Sequence, residues 1–202
     1  MRLLETEIPS MAESRSRSQR YRFCYNAIRA QRRVTRSAAR DCRAHKGANR
    51  LGETKNLFEQ ETVDDVISRI DKLQPTSQRQ WGKMDVAQMM AHCSITMDIA
   101  SGSLNLPRLF IGRLIGPFAR SIYINEKPFS KNGPTGKELV VAAPRDFTRE
   151  REQLKLKIRQ FSEGGEVRCT RHPHPFFGPL TPRAWSRGMY KHLDHHLRQF
   201  GV

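Results

Sequence analysis

The sequence predicts an all-α protein, a helix bundle with one long crossover, preceded by a basic N-terminal arm. Four segments between residues 56 and 202 carry apolar residues at helical spacing and begin or end with recognisable helix signals. Little of the chain alternates as a strand does, and it contains no internal repeat. Hydrophobic residues make up 37% of the 202 residues, which is enough for one core.

The net charge of +16 is unevenly distributed along the chain. Residues 1–50 contain 13 basic and four acidic residues, a net charge of +9, whereas the rest of the chain carries +7. The first segment has no sustained apolar periodicity, so it cannot bury enough apolar surface to offset the entropy of ordering it. We therefore expect a disordered extension over residues 1–52 and a folded domain over residues 53–202.

Three interpretations of the basic arm stay open. It is a disordered or non-native extension, an arm whose arginines bind the phosphates of a nucleic acid, or an organelle transit peptide rich in Arg and Ser. Glu5, Glu7 and Glu13 argue against the transit peptide, because such peptides are poor in acidic residues.

Cysteine usage and hydropathy narrow the class of protein. None of the four cysteines belongs to a CxxC pair, and no short apolar leader precedes a cleavage site. This argues against a disulfide-stapled secreted protein and against a zinc ribbon, and we expect a cytoplasmic protein. The longest apolar stretch, Leu104–Ile124, contains three arginines, so we expect no membrane span.

The first two helices have clear predicted boundaries. Thr62 is expected to cap the first helix, which continues through apolar residues at helical spacing and stops before Pro75. The second helix is expected to begin near Met84-Asp85 and to continue through Ser101-Gly102.

A long crossover follows the second helix. Residues Leu104–Ile124 are predicted to be helical in part and broken at Pro107, Gly116 and Pro117. We expect them to form a buried connection whose arginines reach solvent, the alternative being a segment that lies on a membrane surface. Residues 125–145 are predicted to form a long loop with a short strand at Leu139–Ala142.

Two further helices complete the bundle. Asp146 is expected to cap a charged amphipathic helix that ends at Gly164-Gly165. Thr181 is expected to cap the final helix, with Pro182 at its first position and its end near Phe200.

The final helix carries a pair of histidines on its apolar face. At about 100° per residue, His192 and His196 fall within about 20° of the direction of Trp185, one turn apart. Two imidazoles at positions i and i+4 on one face have the separation that a single metal ion requires. The alternative is that both are core histidines satisfied by hydrogen bonds.

His92 on the second helix is the third candidate ligand. It lies about 110° from the centre of the main apolar stripe, so it requires a helix that is buried on two sides. Three histidines without a fourth protein ligand leave open coordination positions, which is typical of catalytic metal sites. The neighbouring Cys93 is rotated by about 100° and is expected to belong to the core.

Two more histidines, His172 and His174, lie in a proline-rich stretch before the final helix. The rise along that helix places this stretch far from His192 unless the chain folds back. We therefore expect both to be structural loop residues, since the prolines already account for a rigid loop.

Several stretches together resemble a known superfamily over roughly residues 56 to 202. A helix containing Met84-Asp-Val-Ala-Gln-Met-Met-Ala-His92 and a final helix ending His192-Leu-Asp-His-His196-Leu-Arg-Gln199 are similar to the DinB-like (YfiT-like) superfamily of metal-dependent proteins. Within it, Glu126-Lys-Pro-Phe129 and His172-Pro-His-Pro-Phe-Phe-Gly178 resemble a subfamily of unknown function. Leu197-Arg198-Gln199 stands where the superfamily usually has Arg-Gly-Gln.

The resemblance implies an up-down-down-up four-helix bundle with three histidines on helices two and four around a divalent ion, often nickel or zinc. Matched position by position, these ligands are His92, His192 and His196. Some members of the superfamily transfer low-molecular-weight thiols or isomerise substrates with the help of a thiol. The basic arm has no counterpart in the resemblance.

We therefore favour a metal-dependent enzyme that activates water or a thiol, for thiol transfer or hydrolysis of a small-molecule substrate. The sequence identifies no catalytic residue, although Glu126 in the crossover is a candidate general base. Two other classes stay open. One is a non-catalytic bundle that binds a metal or small molecule or forms a homodimer, and the other is a nucleic-acid-associated protein that acts through its arm.

Overall fold

The apolar segments identified in the sequence form helices in the computed structural model, which describes residues 55–202. These residues contain five α-helices, one short 3-10 turn and no strand. The predictions for residues 1–52 lie outside the described part of the chain. We number the helices in chain order as α1 Gln60–Asp71, α2 Val86–Ser101, α3 Phe110–Ile124, α4 Phe147–Arg168 and α5 Pro182–Gln199.

Capping interactions fix the ends of α2 and the start of α5. The Asp85 side chain accepts a hydrogen bond from the Gln88 backbone N–H at 2.8 Å, and the Gln88 side chain accepts one from the Asp85 N–H at 2.9 Å. This reciprocal capping box starts α2, and Gly102 ends it with a φ of 81°. At α5, the Thr181 hydroxyl accepts from the Ala184 N–H at 3.2 Å. The predictions for these boundaries are confirmed.

One predicted helix boundary was wrong and another was right in part. Helix α1 begins at Gln60, before Thr62, which is buried within the helix and caps nothing. Helix α4 breaks at the predicted Gly164-Gly165, where the φ of Gly165 is 56°, but a short helical segment then continues to Arg168. Glycine adopts that positive φ without steric cost, so the chain can interrupt the helix for one residue and resume it.

The strand predicted at Leu139–Ala142 was also wrong. A 3-10 turn covers Lys137–Leu139 instead, and it packs against α2. A single strand needs a neighbouring strand to satisfy its backbone groups, and residues 55–202 provide none. The turn satisfies its own backbone locally through a hydrogen bond from the Val140 N–H to the Lys137 carbonyl.

Helix α3 contradicts the prediction of a broken, buried connection. It continues through Gly116 and Pro117, and it exposes six large apolar side chains: Phe110, Ile111, Leu114, Ile115, Phe118 and Ile122. At about 100° per residue the six fall within one arc of about 140°. No helix among residues 55–202 combines the length and the apolar character needed to cross a membrane. The helix thus turns its large apolar side chains outward and its small residues toward the protein.

Close backbone contacts hold α3 in this orientation. A Cβ atom at Gly112 or Gly116 would overlap the backbone of Phe176, and a Cβ atom at Gly188 of α5 would overlap the ring of Tyr123. Only glycine permits such an approach. This packing explains why the helix persists through a proline that removes one backbone hydrogen bond.

The other four helices share one hydrophobic core. Helix α2 packs against α4 and α5, and α1 packs against the same two helices. Twelve of the 16 residues of α2 are buried, so the helix has no solvent-facing side along most of its length. His92 can therefore be buried although it lies outside the main apolar stripe of α2. Cys93 and Cys169 are buried and form no disulfide.

Replacing Gly188 with Ala is expected to destabilise the protein by about 1 to 3 kcal/mol, because the added methyl group overlaps the Tyr123 ring. The helix propensity of Ala, worth about 1 kcal/mol, acts in the opposite direction. Urea unfolding measures the difference. Gly133→Ala is the control, since a Cβ there meets only the Ser130 carbonyl oxygen at 3.6 Å. Equal free energies of unfolding for the two variants would contradict this packing.

Candidate metal centre

The structure brings the three histidines that the sequence singled out into one cluster between α2 and α5. Nε2 of His92 on α2 lies 3.1 Å from Nε2 of His192 on α5. His196 lies one turn further along α5, and its ring centroid is 4.8 Å from that of His92. One ring nitrogen from each of the three lies within 4.8 Å of the other two.

Hydrogen bonds to carbonyl oxygens orient two of these rings. Nδ1 of His92 lies 2.8 Å from the Leu139 carbonyl oxygen, and Nδ1 of His196 lies 2.8 Å from Oε1 of Gln199. Because a carbonyl oxygen only accepts, Nδ1 of each neutral ring carries the proton and donates it. Nε2 of each ring therefore keeps its lone pair for a metal ion.

Gln199 is a functional residue that the histidine pattern did not identify. Its side chain is buried, and its amide nitrogen donates to the Trp81 carbonyl oxygen at 2.6 Å, which fixes the amide oxygen toward His196. Such outer hydrogen bonds set the tautomer of metal-binding histidines. Gly82 makes room for the amide, since a Cβ there would overlap it. The sequence signal is its position three residues after His196, on the same buried face.

Burial keeps the three imidazoles neutral. It lowers the pKa of His92, and together with the neighbouring His92 ring it lowers the pKa of His196 to about 3. Burial and the adjacent imidazoles also lower the pKa of His192 well below its ordinary range. The neutral imidazole is the form that binds metal ions, so protons do not compete for these nitrogens near neutral pH.

The cluster lines a cavity of about 490 Å³. Aromatic and aliphatic side chains form most of its wall, including Tyr123, Phe129, Phe176, Phe177, Trp185 and Met189. Among the described residues that line it, Glu138 is the only charged one apart from histidine, and it lies in the exposed 3-10 turn. The volume is within the range of small-molecule binding sites.

A folded-back loop brings His174 into this cavity. His174 and Gly178 exchange two backbone hydrogen bonds of 2.8 and 3.0 Å, and the Leu109 N–H donates to the Pro175 carbonyl oxygen at 2.9 Å. These contacts return the proline-rich stretch to the side of α3 and α5. The rise along the final helix, which was the basis of the sequence prediction, does not reveal that the loop folds back.

The chain thus folds back, which is the condition under which the sequence allowed His174 to approach the site. Its ring lines the cavity, with its centroid 5.1 Å from Trp185 and 5.2 Å from Tyr123. It also has a structural role in the loop, because its Nδ1 accepts from the backbone N–H groups of Phe176 and Phe177. His172, two residues earlier, has its Nε2 3.1 Å from the Leu106 carbonyl oxygen and does not line the cavity.

The candidate general base of the sequence analysis lies elsewhere. Glu126 lines a separate surface pocket with Lys55 and Lys191, whereas Glu138 lines the histidine cavity. Glu138 directly precedes the residue whose carbonyl oxygen binds His92. The position of Glu138 in the cavity wall depends on the 3-10 turn, so it could not be inferred from the sequence.

Two neighbours of the candidate ligands are not part of the cluster. Cys93 is fully buried in the core, as predicted, and burial raises the pKa of its thiol. His195 lines the cavity and its ring contacts those of His196 and Trp81, but its nitrogens are not among the three that lie within 4.8 Å of one another. The described residues thus provide three candidate ligands and no fourth.

Fold and site together define an all-helical protein with three clustered histidines in a small-molecule cavity. The chain belongs to the family described as "Protein of unknown function (DUF1569)", whose model matches residues 53–201. No curated protein and no solved structure matches the chain at a significant level. The membership therefore assigns no activity to the cluster.

The buried histidines make stability depend on pH. Burial, with a contribution from Arg108, lowers the pKa of His174 to about 4. Unfolding restores an ordinary value of about 6.5, so between these values the unfolded chain binds a proton that the folded chain does not. The stabilisation from His174 is complete above about pH 6.5 and is lost as the pH falls to about 4.

His174→Asn is expected to reduce the slope of the free energy of unfolding against pH by up to about 1.4 kcal/mol per pH unit in this interval. Urea unfolding of wild type and variant with a chelator present, at several pH values between 7 and 4, measures the slopes. Parallel slopes would show that His174 is not held neutral by the fold.

Proposed function

We propose that this chain is a metal-dependent enzyme of the DinB-like superfamily in which His92, His192 and His196 hold a divalent ion, nickel or zinc. The observation that carries the proposal is the cluster of three neutral imidazoles in one cavity, two of them oriented by carbonyl oxygens that bind Nδ1. Two functions compatible with this cluster are thiol transfer and, second, hydrolysis.

The donor set fits such an ion. Two nitrogens bound to one tetrahedral zinc ion lie about 3.4 Å apart, close to the 3.1 Å between His92 and His192. The third ring lies within 4.8 Å, so small ring movements bring all three onto one ion. Without an ion, Nε2 of His192 can donate to the lone pair of Nε2 of His92, so one proton occupies the place between these two nitrogens that an ion would take. Three protein ligands leave positions open for a substrate.

A divalent ion bound there would lower the pKa of a bound water or thiol, which supplies a nucleophile near neutral pH. The residues of the chain have other tasks. The aromatic walls around Tyr123 and Trp185 exclude bulk water and strengthen electrostatic interactions inside. Glu138, the only carboxylate of the described lining, is the group best situated to accept a proton from the ligand.

The arrangement of helices supports the superfamily assignment. Helices α1, α2, α4 and α5 share the core, and α3 lies in the crossover between α2 and α4, as an up-down-down-up bundle requires. The candidate ligands lie on the second and fourth of these core helices. The family match over residues 53–201 supports a domain over 53–202 that excludes the extension 1–52. We propose that the enzyme is cytoplasmic.

The exposed face of α3 supports a homodimer. Its six large apolar side chains are 48% to 83% exposed. Because such a side chain offers roughly 150 to 200 Å² when free, the face presents on the order of 650 Å² in each copy. Two copies would bury about 1,300 Å², within the roughly 1,200 to 2,000 Å² of stable specific interfaces. We propose that a second copy of the chain covers this face.

The metal site is tested on full-length protein purified without a nickel column and dialysed against zinc or nickel. Wild type is expected to retain about one equivalent of metal, and His192→Ala less than a tenth, because two imidazoles bind much more weakly than three. His172→Ala is the control, because His172 lies outside the cavity. Metal analysis that finds less than a tenth of an equivalent in wild type, unchanged in His192→Ala, would contradict the site.

The homodimer is tested by sedimentation. Phe118→Glu places a charge at the most exposed position of the α3 face and is expected to convert a dimer into a monomer. Val167→Glu, at an 89% exposed position of α4, is the matched control and should leave the dimer intact. A monomeric wild type would contradict the proposal, and binding of that monomer to anionic vesicles would assign the face to lipid.

A further inference from the structure

The ring of His174 is locked in one tautomer. Its Nδ1 lies 3.1 Å from the backbone nitrogen of Phe176 and 3.2 Å from that of Phe177. Both backbone groups are donors, so Nδ1 must be the acceptor and the proton of the neutral ring lies on Nε2. The turn formed by its own loop therefore fixes His174 as a donor through Nε2.

This Nε2 donor has no acceptor within the described part of the chain. The ring forms part of the cavity wall, packed between Tyr123, Phe177 and Trp185 at centroid distances of 5.2, 4.7 and 5.1 Å. His174 is half-buried and Nε2 faces the open volume of the cavity, where water can bind it. An oxygen atom of a bound ligand would take the place of that water and keep the hydrogen bond.

The charges around the cavity restrict what that ligand can be. The described lining contains no Lys or Arg, and its one carboxylate, Glu138, is itself negative. Arg108 does not line the cavity, and its guanidinium donates to the Gly112 carbonyl oxygen at 3.0 Å, although its charge contributes to the lowered pKa of His174. An ion in the histidine cluster would pair with one anionic group, but the described lining has no Lys or Arg for a second, so a ligand with several negative charges would lose hydration that the site does not replace. The oxygen facing His174 therefore belongs to a neutral group, of which a carbonyl is the strong acceptor.

We propose that the cavity binds a largely apolar molecule bearing a carbonyl oxygen, which accepts a hydrogen bond from Nε2 of His174 while a neighbouring sulfur or oxygen atom reaches the three-histidine cluster. The aromatic wall receives the apolar body of the molecule. This substrate class rests on the proposed function, because the second anchor is the ion held by His92, His192 and His196.

The experiment uses full-length protein loaded with Co²⁺, whose absorption spectrum reports thiolate binding directly. Three thiols serve as probes: 2-phenylethanethiol, 2-mercaptoacetophenone, which has the same skeleton with a carbonyl group, and mercaptosuccinate, which carries two carboxylates. Spectral titration of each probe gives a Kd without requiring turnover. Wild type is expected to bind both aromatic thiols at least tenfold more tightly than mercaptosuccinate, as expected for an apolar cavity.

Two substitutions separate the functions of the two ring nitrogens of His174. Asn has an oxygen near the position of Nδ1 but no atom at that of Nε2, so His174→Asn keeps the loop and removes the donor. Gln has an amide near the position of Nε2, so His174→Gln keeps a donor and weakens the loop. His172→Asn is the control in the same loop, outside the cavity.

In His174→Asn the preference for 2-mercaptoacetophenone over 2-phenylethanethiol is expected to fall roughly threefold to tenfold relative to wild type. The Kd of 2-phenylethanethiol itself should change less than twofold. His174→Gln and His172→Asn should retain most of the preference. Comparing ratios removes the difference in acidity between the two thiols.

An unchanged preference in His174→Asn would overturn the role of His174. Equal binding of mercaptosuccinate and the aromatic thiols by wild type would overturn the apolar substrate class, and this comparison holds even if a variant fails to fold. In both cases the binding of Co²⁺ would still support the three-histidine metal site. Wild type that binds no Co²⁺ would overturn the proposed function, and the substrate class with it.

Discussion

The burial of neutral imidazoles between α2 and α5 is the constraint on which the rest of the structure depends. A buried histidine without partners is costly, and His92 and His196 avoid that cost through carbonyl oxygens of Leu139 and Gln199. The 3-10 turn must therefore pack on α2, and the loop at Trp81 must hold the Gln199 amide. The hydrogen bonds of the cluster thus join the crossover turn to α2, and the loop before α2 to the final helix.

The cavity exists because α3 and the loop around His174 are assembled in an unusual way. An amphipathic helix normally buries its large apolar residues, but α3 presents Gly112 and Gly116 to the loop and the ring of Tyr123 to Gly188. Beside this close backbone packing, a cavity that is partly open to solvent borders the histidines instead of a filled core. The same arrangement leaves an apolar face outside, so the shape of the cavity and the exposed surface have one origin.

Sequence periodicity predicted the helices and the three clustered histidines because both depend on local geometry. His192 and His196 share a face by helical spacing alone, and His92 needed only a helix buried on most sides. Contacts between distant segments could not be predicted from periodicity. The position of His174 depends on a folded-back loop, and that of Glu138 on a 3-10 turn. The exposure of Phe118 depends on glycine contacts across the chain, which no single segment encodes.

Burial has two linked effects on these histidines. In water an imidazole binds a proton with a pKa of about 6.5, so protons and metal ions compete for the same lone pair near neutral pH. The apolar surroundings lower the pKa of His174 and His196 to about 4 and 3, which removes the proton as a competitor. The same shift makes the fold less stable in acid, because protonation then favours the unfolded chain. A site kept neutral in this way favours metal ions over protons and neutral ligand groups over charged ones. The protein is in turn stable over a narrower range of pH.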